Sequence, residues 1–254
     1  MTTEALSKIP KVRNGYYYLD AERVYVRLSN ILSAIAKPQL IYWAGKQVFE
    51  AAADNPALLS DPKNVSQMIY GKRDKAADVG KMIHSWIEAV MKDAPIDASA
   101  LHEGQRARGE GFLGMVKAHE LSLIHQELTV YSDQYQVAGT TDLVAMVTFN
   151  GWRGPAVVDF KTGGIYEEAH IQVEAYRRFV NEMIQRGQLR LTHPSLEGDV
   201  PYLEHTFLMP LPEDGSASLI HGHGAFEDFL AAHVLYRHLF APKTKTTGHA
   251  PKED

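Results

Sequence analysis

Asn150-Gly151 separates two apolar runs, "TTDLVAMVTF" and "WRGPAVVDFK". This dipeptide favours a two-residue hairpin turn, because both central residues need positive φ and Asn and Gly tolerate it. A tight turn sets the whole register. Phe149 faces Trp152, and counting back along the pair puts Asp142 opposite Asp159. Cβ atoms of such a pair lie about 4.5–5.5 Å apart. Lys161, two residues beyond Asp159, shares its face. Arg153-Gly154-Pro155 is the feature that could widen the loop and shift the pairing.

Like charges facing each other destabilise a sheet. Lys161 offsets part of that repulsion, and a divalent cation held by both carboxylates would offset more; Mg²⁺ and Mn²⁺ take such oxygen ligands. The plainer alternative is an exposed Asp159–Lys161 ion pair, which is worth little, with Asp142 merely ending a turn. The second acid, inside an otherwise apolar strand pair, is what favours a metal site.

The remaining pattern is mixed α/β. "YYYLDAERVYVRLSN" predicts a short strand or hairpin, then a helix capped by Ser29. Helices are expected over "PQLIYWAGKQVFEAAA", residues 75–91 and residues 100–119. Strands follow at 122–131, 134–149 and 155–161, then the amphipathic helix "EAHIQVEAYRRFVNEMIQR", the strand "LEHTFLMPL" and the helix "AFEDFLAAHVLYRHLF". Residues 1–15 and the polar tail 241–254 are expected to be loose. A turn at Ser132-Asp133 would put Glu127 opposite Ala138, on the face of Asp142 but roughly 13 Å along the strand from it at about 3.3 Å per residue.

In order, "VGKMIHSWIEA", "GTTDLV", "VVDFKTGG" and "HIQVEAYRRF" resemble the PD-(D/E)XK nuclease superfamily, and within it the RecB-type exonucleases of phage and CRISPR-associated kinds. The family's G-x-x-x-H falls on Gly80 and His84, its G-x-x-D on Gly139 and Asp142, its D-x-K-T-G on Asp159, Lys161, Thr162 and Gly163, and its Q-x-x-x-Y on Gln172 and Tyr176. The resemblance runs over most of residues 25–180. D-x-K alone is nonspecific; the ordered set is fairly specific. Many relatives carry four cysteines that hold an iron–sulfur cluster. This chain has no cysteine, so the resemblance is to a cluster-free branch.

The resemblance implies a restriction-endonuclease-like core, a small mixed central sheet flanked by helices, with an N-terminal helical segment. It divides a single domain of residues 1–240 into a mostly helical lead-in to 120 and a catalytic core from 121. It implies a metal-dependent DNA exonuclease acting in recombination, repair or phage replication. Asp142, Asp159, Lys161, Gln172 and Tyr176 would be catalytic. His84, Asp142, Asp159 and the Phe160 carbonyl would hold Mg²⁺ or Mn²⁺, with Glu127 a candidate second-metal ligand or neighbour. Lys161 would stay protonated and stabilise charge on the phosphate. Lys72, Arg73, Lys75, Lys81, Thr162, Arg177 and Arg178 are the candidate DNA contacts, with a solvated face the alternative for the two arginines on the later helix. Tyr16, Tyr17, Tyr18, Tyr25 and Trp43 could stack on bases if exposed, with a place in the core the favoured alternative for Trp43.

Composition restricts the rest. A net charge of −5 excludes a globally basic coat, so any nucleic-acid contact is a local patch. The absence of cysteine excludes a disulfide scaffold and a thiolate zinc site. His221, His223, His233 and His238 do not make a zinc pattern, because the last two are five apart, off one helical face. No run of about 18 apolar residues is present, and "MTTEALSKIP" lacks an apolar signal-peptide core. A cytoplasmic protein with DNA as partner, and a recombinase or single-strand-annealing protein beside it, is the expectation. The alternatives are a structure-specific endonuclease and a non-catalytic DNA-end-binding accessory protein.

Overall fold

The Asn150-Gly151 hairpin forms as a two-residue turn. Asn150 and Gly151 take φ of 49° and 82°, and β4 (Val137–Phe149) pairs antiparallel with β5 (Trp152–Lys161) from Phe149↔Trp152 to Leu143↔Val158. Asp142 and Asp159 are the next residues of that register. The computed structural model describes residues 16–18, 24–92 and 98–240. The segments 1–15 and 241–254, expected to be loose, lie outside the described residues.

The protein is mixed α/β, a seven-stranded mixed sheet flanked by helices. β3 (Ser122–Ser132) runs antiparallel along one edge of β4, from Ser132↔Val137 to Ser122↔Met146. The opposite edge of β4 is shared. Its first residues pair in parallel with β2 (Val24–Arg27), Val26↔Val137 and Arg27↔Ala138, and only from Leu143 does β5 take over. The sheet therefore forks at residues 139–142 of β4. β1 (Tyr16–Tyr18) extends the β2 side. β6 (His205–Pro210), parallel to β5, and the two-residue β7 (Ile220–His221) extend the other.

Alternation along β4 and β5 feeds two cores. Val144 and Val157 face one side, where α1 (Leu28–Leu32), α5 (Glu167–Gln185) and α6 (Phe226–Phe240) pack. Leu143, Ala145, Ala156, Val158 and Phe160 face the other, covered by α3 (Pro62–Met91) and α4 (Glu103–Ala118). Each fully buried large apolar side chain contributes about 1.5–3 kcal/mol, so both layers are held strongly to the sheet. No helix among the described residues is long and apolar enough to cross a membrane.

Several expectations are corrected. Ser29 does not cap a helix: α1 starts two residues earlier than a Ser29 cap would set, with Arg27 at its N-cap and no side-chain bond. α3 begins at Pro62 rather than 75, because Asp61 accepts from the Lys63 amide and Pro62 supplies a pre-set φ at N1. α2 (Pro38–Asp54) buries no residue, so Trp43 is not a core side chain. Tyr17 and Tyr25 are buried rather than available for stacking; the Tyr17 hydroxyl lies 3.1 Å from Thr140 Oγ1.

The β3–β4 connection also differs from the reading. The strands are joined by a four-residue turn, 133–136, closed by Gln136 at φ 54°. "SDQYQ" carries no Asn-Gly signal, so its length was not visible locally. The shift moves Glu127 from opposite Ala138 to opposite Asp142, between the pairs Gln126↔Leu143 and Leu128↔Thr141.

Candidate metal centre and cleft

At the fork, β5 leaves β4 and its next amide loses a ladder partner. The Asp142 carboxylate replaces it: Phe160 N–H donates to Asp142 Oδ2 at 2.8 Å. The other Asp142 oxygen, Oδ1, lies 3.5 Å from His84 Nδ1. His84 arrives from the covering layer. Ile83, Trp86 and Ile87 of α3 are buried against the sheet, and the Gln126 side chain donates to the Glu88 carbonyl at 3.1 Å, tying α3 to β3. The His84 ring meets Phe160 edge-on at 5.8 Å. Phe160 itself turns into the core and packs on Phe112, so it separates Asp159 from Lys161 without entering the cleft.

Glu127 completes the group. It has φ 47°, a left-handed conformation that costs a non-glycine residue about 1–2 kcal/mol. Such a cost persists where the surroundings impose it, and it marks candidate functional positions. His84, Glu127 and Asp142 each offer a ligand atom, all within 4.8 Å of one another. They are the sole such trio among the described residues.

The electrostatics follow from burial and crowding. Burial, then the Asp142 charge and Glu88, push the Glu127 carboxyl up to about 7. Burial would lower the His84 imidazole, but its contact with Asp142 and the charges of Asp142, Asp159 and Glu127 raise it overall. Asp159 is 2 % exposed, and burial holds its carboxyl above the usual range against the pull of Lys161. Burial works against the Lys161 ammonium, but Asp159, 2.6 Å from Nζ, outweighs it and keeps the lysine protonated.

α5 supplies the opposite wall. Lys161 Nζ donates to Gln172 Oε1 at 3.3 Å, and Gln172 Nε2 donates to the Tyr176 hydroxyl at 3.0 Å. Tyr176 is buried and its phenol pKa is pushed up by that burial. Its ring lies directly on Gly139, where a Cβ would sit 2.4 Å from Tyr176 Cε1. A glycine at that point of β4 is what lets α5 approach closely enough for Gln172 to reach Lys161.

These residues line one cavity of about 450 Å³, bounded also by Arg27, Gly80, Lys81, Glu88 and Thr140. Arg27 had no signal in the sequence; it enters because β2 ends at the fork. Arg108 was also missed. It is buried on α4, and its guanidinium donates to the Thr162 carbonyl at 3.0 Å, holding the turn that follows Lys161.

The candidate DNA contacts divide. Lys81 lines this cavity and pairs with Asp78, while Lys72, Lys75 and Thr162 line a neighbouring one. Arg73 pairs with Asp74 and covers the Tyr70 ring at 4.9 Å. Arg177 and Arg178 lie away from the cleft. Both bond Glu174, and Arg177 also donates to the Leu203 carbonyl. The later histidines do not converge: His221 contacts His205, His223 contacts Glu167, and His233 contacts the Tyr135 carbonyl.

Fold and site together define a mixed α/β protein with a carboxylate–imidazole cluster beside a buried Asp–Lys pair. No protein-family model matches the chain, and no curated protein matches it.

Proposed function

We propose that this protein is a divalent-metal-dependent deoxyribonuclease with a restriction-endonuclease-like core, an exonuclease that hydrolyses phosphodiester bonds from DNA ends. The observation that carries the reading is the meeting of His84, Glu127 and Asp142 with the Asp159–Lys161 pair at the sheet fork. The residues fit a metal. Glu127 and Asp142 face each other as hard oxygen donors suited to Mg²⁺ or Mn²⁺, and His84 adds a borderline nitrogen donor. A cation there would relieve the carboxylate repulsion that His84 and Lys161 offset only in part. His84, Glu127 and Asp142 would hold the ion, with Asp159 and the Phe160 carbonyl as neighbouring donors. Such an ion would polarise the phosphate, favour ionisation of the attacking water and screen developing charge.

The chain's own residues supply the rest. Hydrolysis joins a water oxygen to phosphorus, breaks one P–O ester bond and returns a proton to the departing oxygen. Lys161, kept protonated by Asp159, presents a fixed positive charge where the phosphate oxygens gain negative charge. Gln172 orients Lys161, and Tyr176 orients Gln172.

The test is cleavage of end-labelled linear DNA, single- and double-stranded, beside closed circles, with Mg²⁺, Mn²⁺ or EDTA. Linear DNA should be lost only with metal, and Lys161→Ala should reduce the rate roughly 10²–10³-fold. Cutting of circles would replace the exonuclease by an endonuclease. DNA binding without cleavage under either metal would replace it by an end-binding protein.

A further inference from the structure

A second cavity of about 400 Å³ opens on the other side of Gly80 and Thr162. Val79 and Thr162 line it, while their chain neighbours Gly80 and Lys161 line the metal-site cavity, so a wall about one residue thick separates the two. A Cβ placed on Gly80 would touch Thr162 Oγ1 at 3.4 Å, which shows how closely α3 and the post-Lys161 turn meet.

Its lining is chemically different from its neighbour's. The metal-site cavity is rich in carboxylates; this one holds Lys72, Lys75 and Arg108 against a single acid, Glu213. Lys72 Nζ bonds Gln47 Oε1 at 2.6 Å, a neutral partner that leaves its charge uncancelled. Lys75 has no ion pair among the described residues. Glu213 pairs with Arg108 at 3.0 Å but stands in solvent at 80 % exposure, where it neutralises little. Arg108 is buried, and its Nε has no acceptor among the described residues. On the far side is Trp43, from the helix that buries nothing in either core. A flat aromatic face beside unneutralised cations suits a ligand with a ring and a phosphate, that is, a nucleotide.

We propose that this cavity seats a nucleotide of the substrate strand next to the scissile phosphate, its base stacked on Trp43 and its phosphate held by Lys72 and Lys75. The proposal rests on the nuclease reading for its occupant, but the cavity's chemistry stands apart from the metal centre. The seat lets a strand engage the protein before any metal is bound. It also fixes how far the strand end extends past the cut, and so the length of the released product.

The test is tryptophan fluorescence of the whole protein in EDTA, where nothing is cut, titrated with single-stranded oligothymidylate and, separately, with thymidine 5′-monophosphate. Wild type should be quenched by the oligonucleotide in a saturable way. Trp43→Leu should lose the quench and weaken binding, measured by anisotropy of labelled oligonucleotide, about 5- to 100-fold; Trp43→Phe should recover part of the affinity but not the quench, because the indole that reports it is gone. Lys72→Ala with Lys75→Ala should flatten the dependence of log affinity on log salt by about one per lysine. The double arginine variant should restore it.

If these variants leave affinity, salt slope and product lengths unchanged while DNA is cut, the seat is wrong and the nuclease reading stands. If wild type binds with a Trp43-dependent quench but cuts nothing with either metal, the seat stands and the nuclease reading falls. Binding of the mononucleotide as tight as the oligonucleotide would overturn a strand seat in favour of a free nucleotide. No binding of either overturns the seat outright.

Discussion

α5 and α2 are similar in length and both amphipathic in sequence, yet one is welded to the sheet and the other is not. α5 buries Ile171, Val173, Tyr176, Phe179, Val180 and Met183 among others. α2 buries none of its residues, and Ile41 and Phe49 are 78 % and 79 % exposed. The two helices line neighbouring cavities, α5 the one at the fork and α2 the one beyond Gly80 and Thr162. α5 holds Gln172 and Tyr176 in a bonded line to Lys161. α2 brings only Trp43 and Gln47 to the rim of the second cavity. Periodicity says that a helix has an apolar stripe; it does not say what the stripe meets. A packed wall suits groups that must be fixed to fractions of an ångström, and a loosely attached wall suits contact with something outside the chain.

The sharpest contrast is in stability. Phe179→Ala should lower unfolding stability by about 3–5 kcal/mol in urea melts, because Phe179 is fully buried between α5 and the core under it. A smaller loss would mean that α5 is less tightly packed than its burial indicates. Next, Gly139→Ala should cost about 1–3 kcal/mol, since the added methyl collides with the Tyr176 ring and one of the two must move. It should remove most DNA cleavage as well, by breaking the Tyr176–Gln172–Lys161 line. Unchanged activity would show that the line is not needed to aim the lysine.

Tyr176→Phe keeps the ring and removes only the hydroxyl bonded to Gln172. It should cost about 0.5–1.5 kcal/mol and reduce the cleavage rate with little effect on substrate affinity, a split visible in kcat against KM. A change in KM alone would make Tyr176 a packing residue.

A pH effect should follow, limited because Glu127 is partly open to solvent. Its folded pKa of about 7 lies above its usual 4.5. The folded protein therefore binds that proton more tightly than the unfolded chain does. The contribution is fully present below about pH 4.5 and is lost as pH rises through about 7. Metal-free wild type should thus lose stability over that window relative to Glu127→Gln, whose side chain cannot titrate, and Mg²⁺ or Mn²⁺ should restore it. Parallel pH profiles of the two proteins without metal would contradict the crowding of Glu127 by Asp142. Smallest of all, Ile41→Ser and Phe49→Ser should stay within about 0.5 kcal/mol of wild type in the same melts. A larger loss would mean that α2 is packed in solution.

Much of the core was legible in the chain because it depends on local rules. The β4–β5 register follows from Asn150-Gly151, whose left-handed conformations are cheap, and from alternation that sends Val157 and Val158 to opposite layers. That register places Asp142, Asp159 and Lys161 together; helical spacing puts Gln172 and Tyr176 on one face, and only the family resemblance joins that face to Lys161. The tertiary structure decided the rest. Glu127 reaches Asp142 because a four-residue turn, unmarked by glycine, shifts β3 along β4. His84 meets Asp142 because four buried residues of α3, Ile83, Trp86, Ile87 and Met91, dock that helix on the sheet. Arg27 and Arg108 reach the site from segments about 115 and 50 residues away in the chain, the one brought by a strand end and the other by helix packing. Trp43 lost its expected place in the core because no face of the sheet was left for its helix to cover. Turn chemistry and side-chain alternation act between neighbours and are written in order along the chain. Which distant surfaces meet is settled by competition for a limited buried area, which no single segment records.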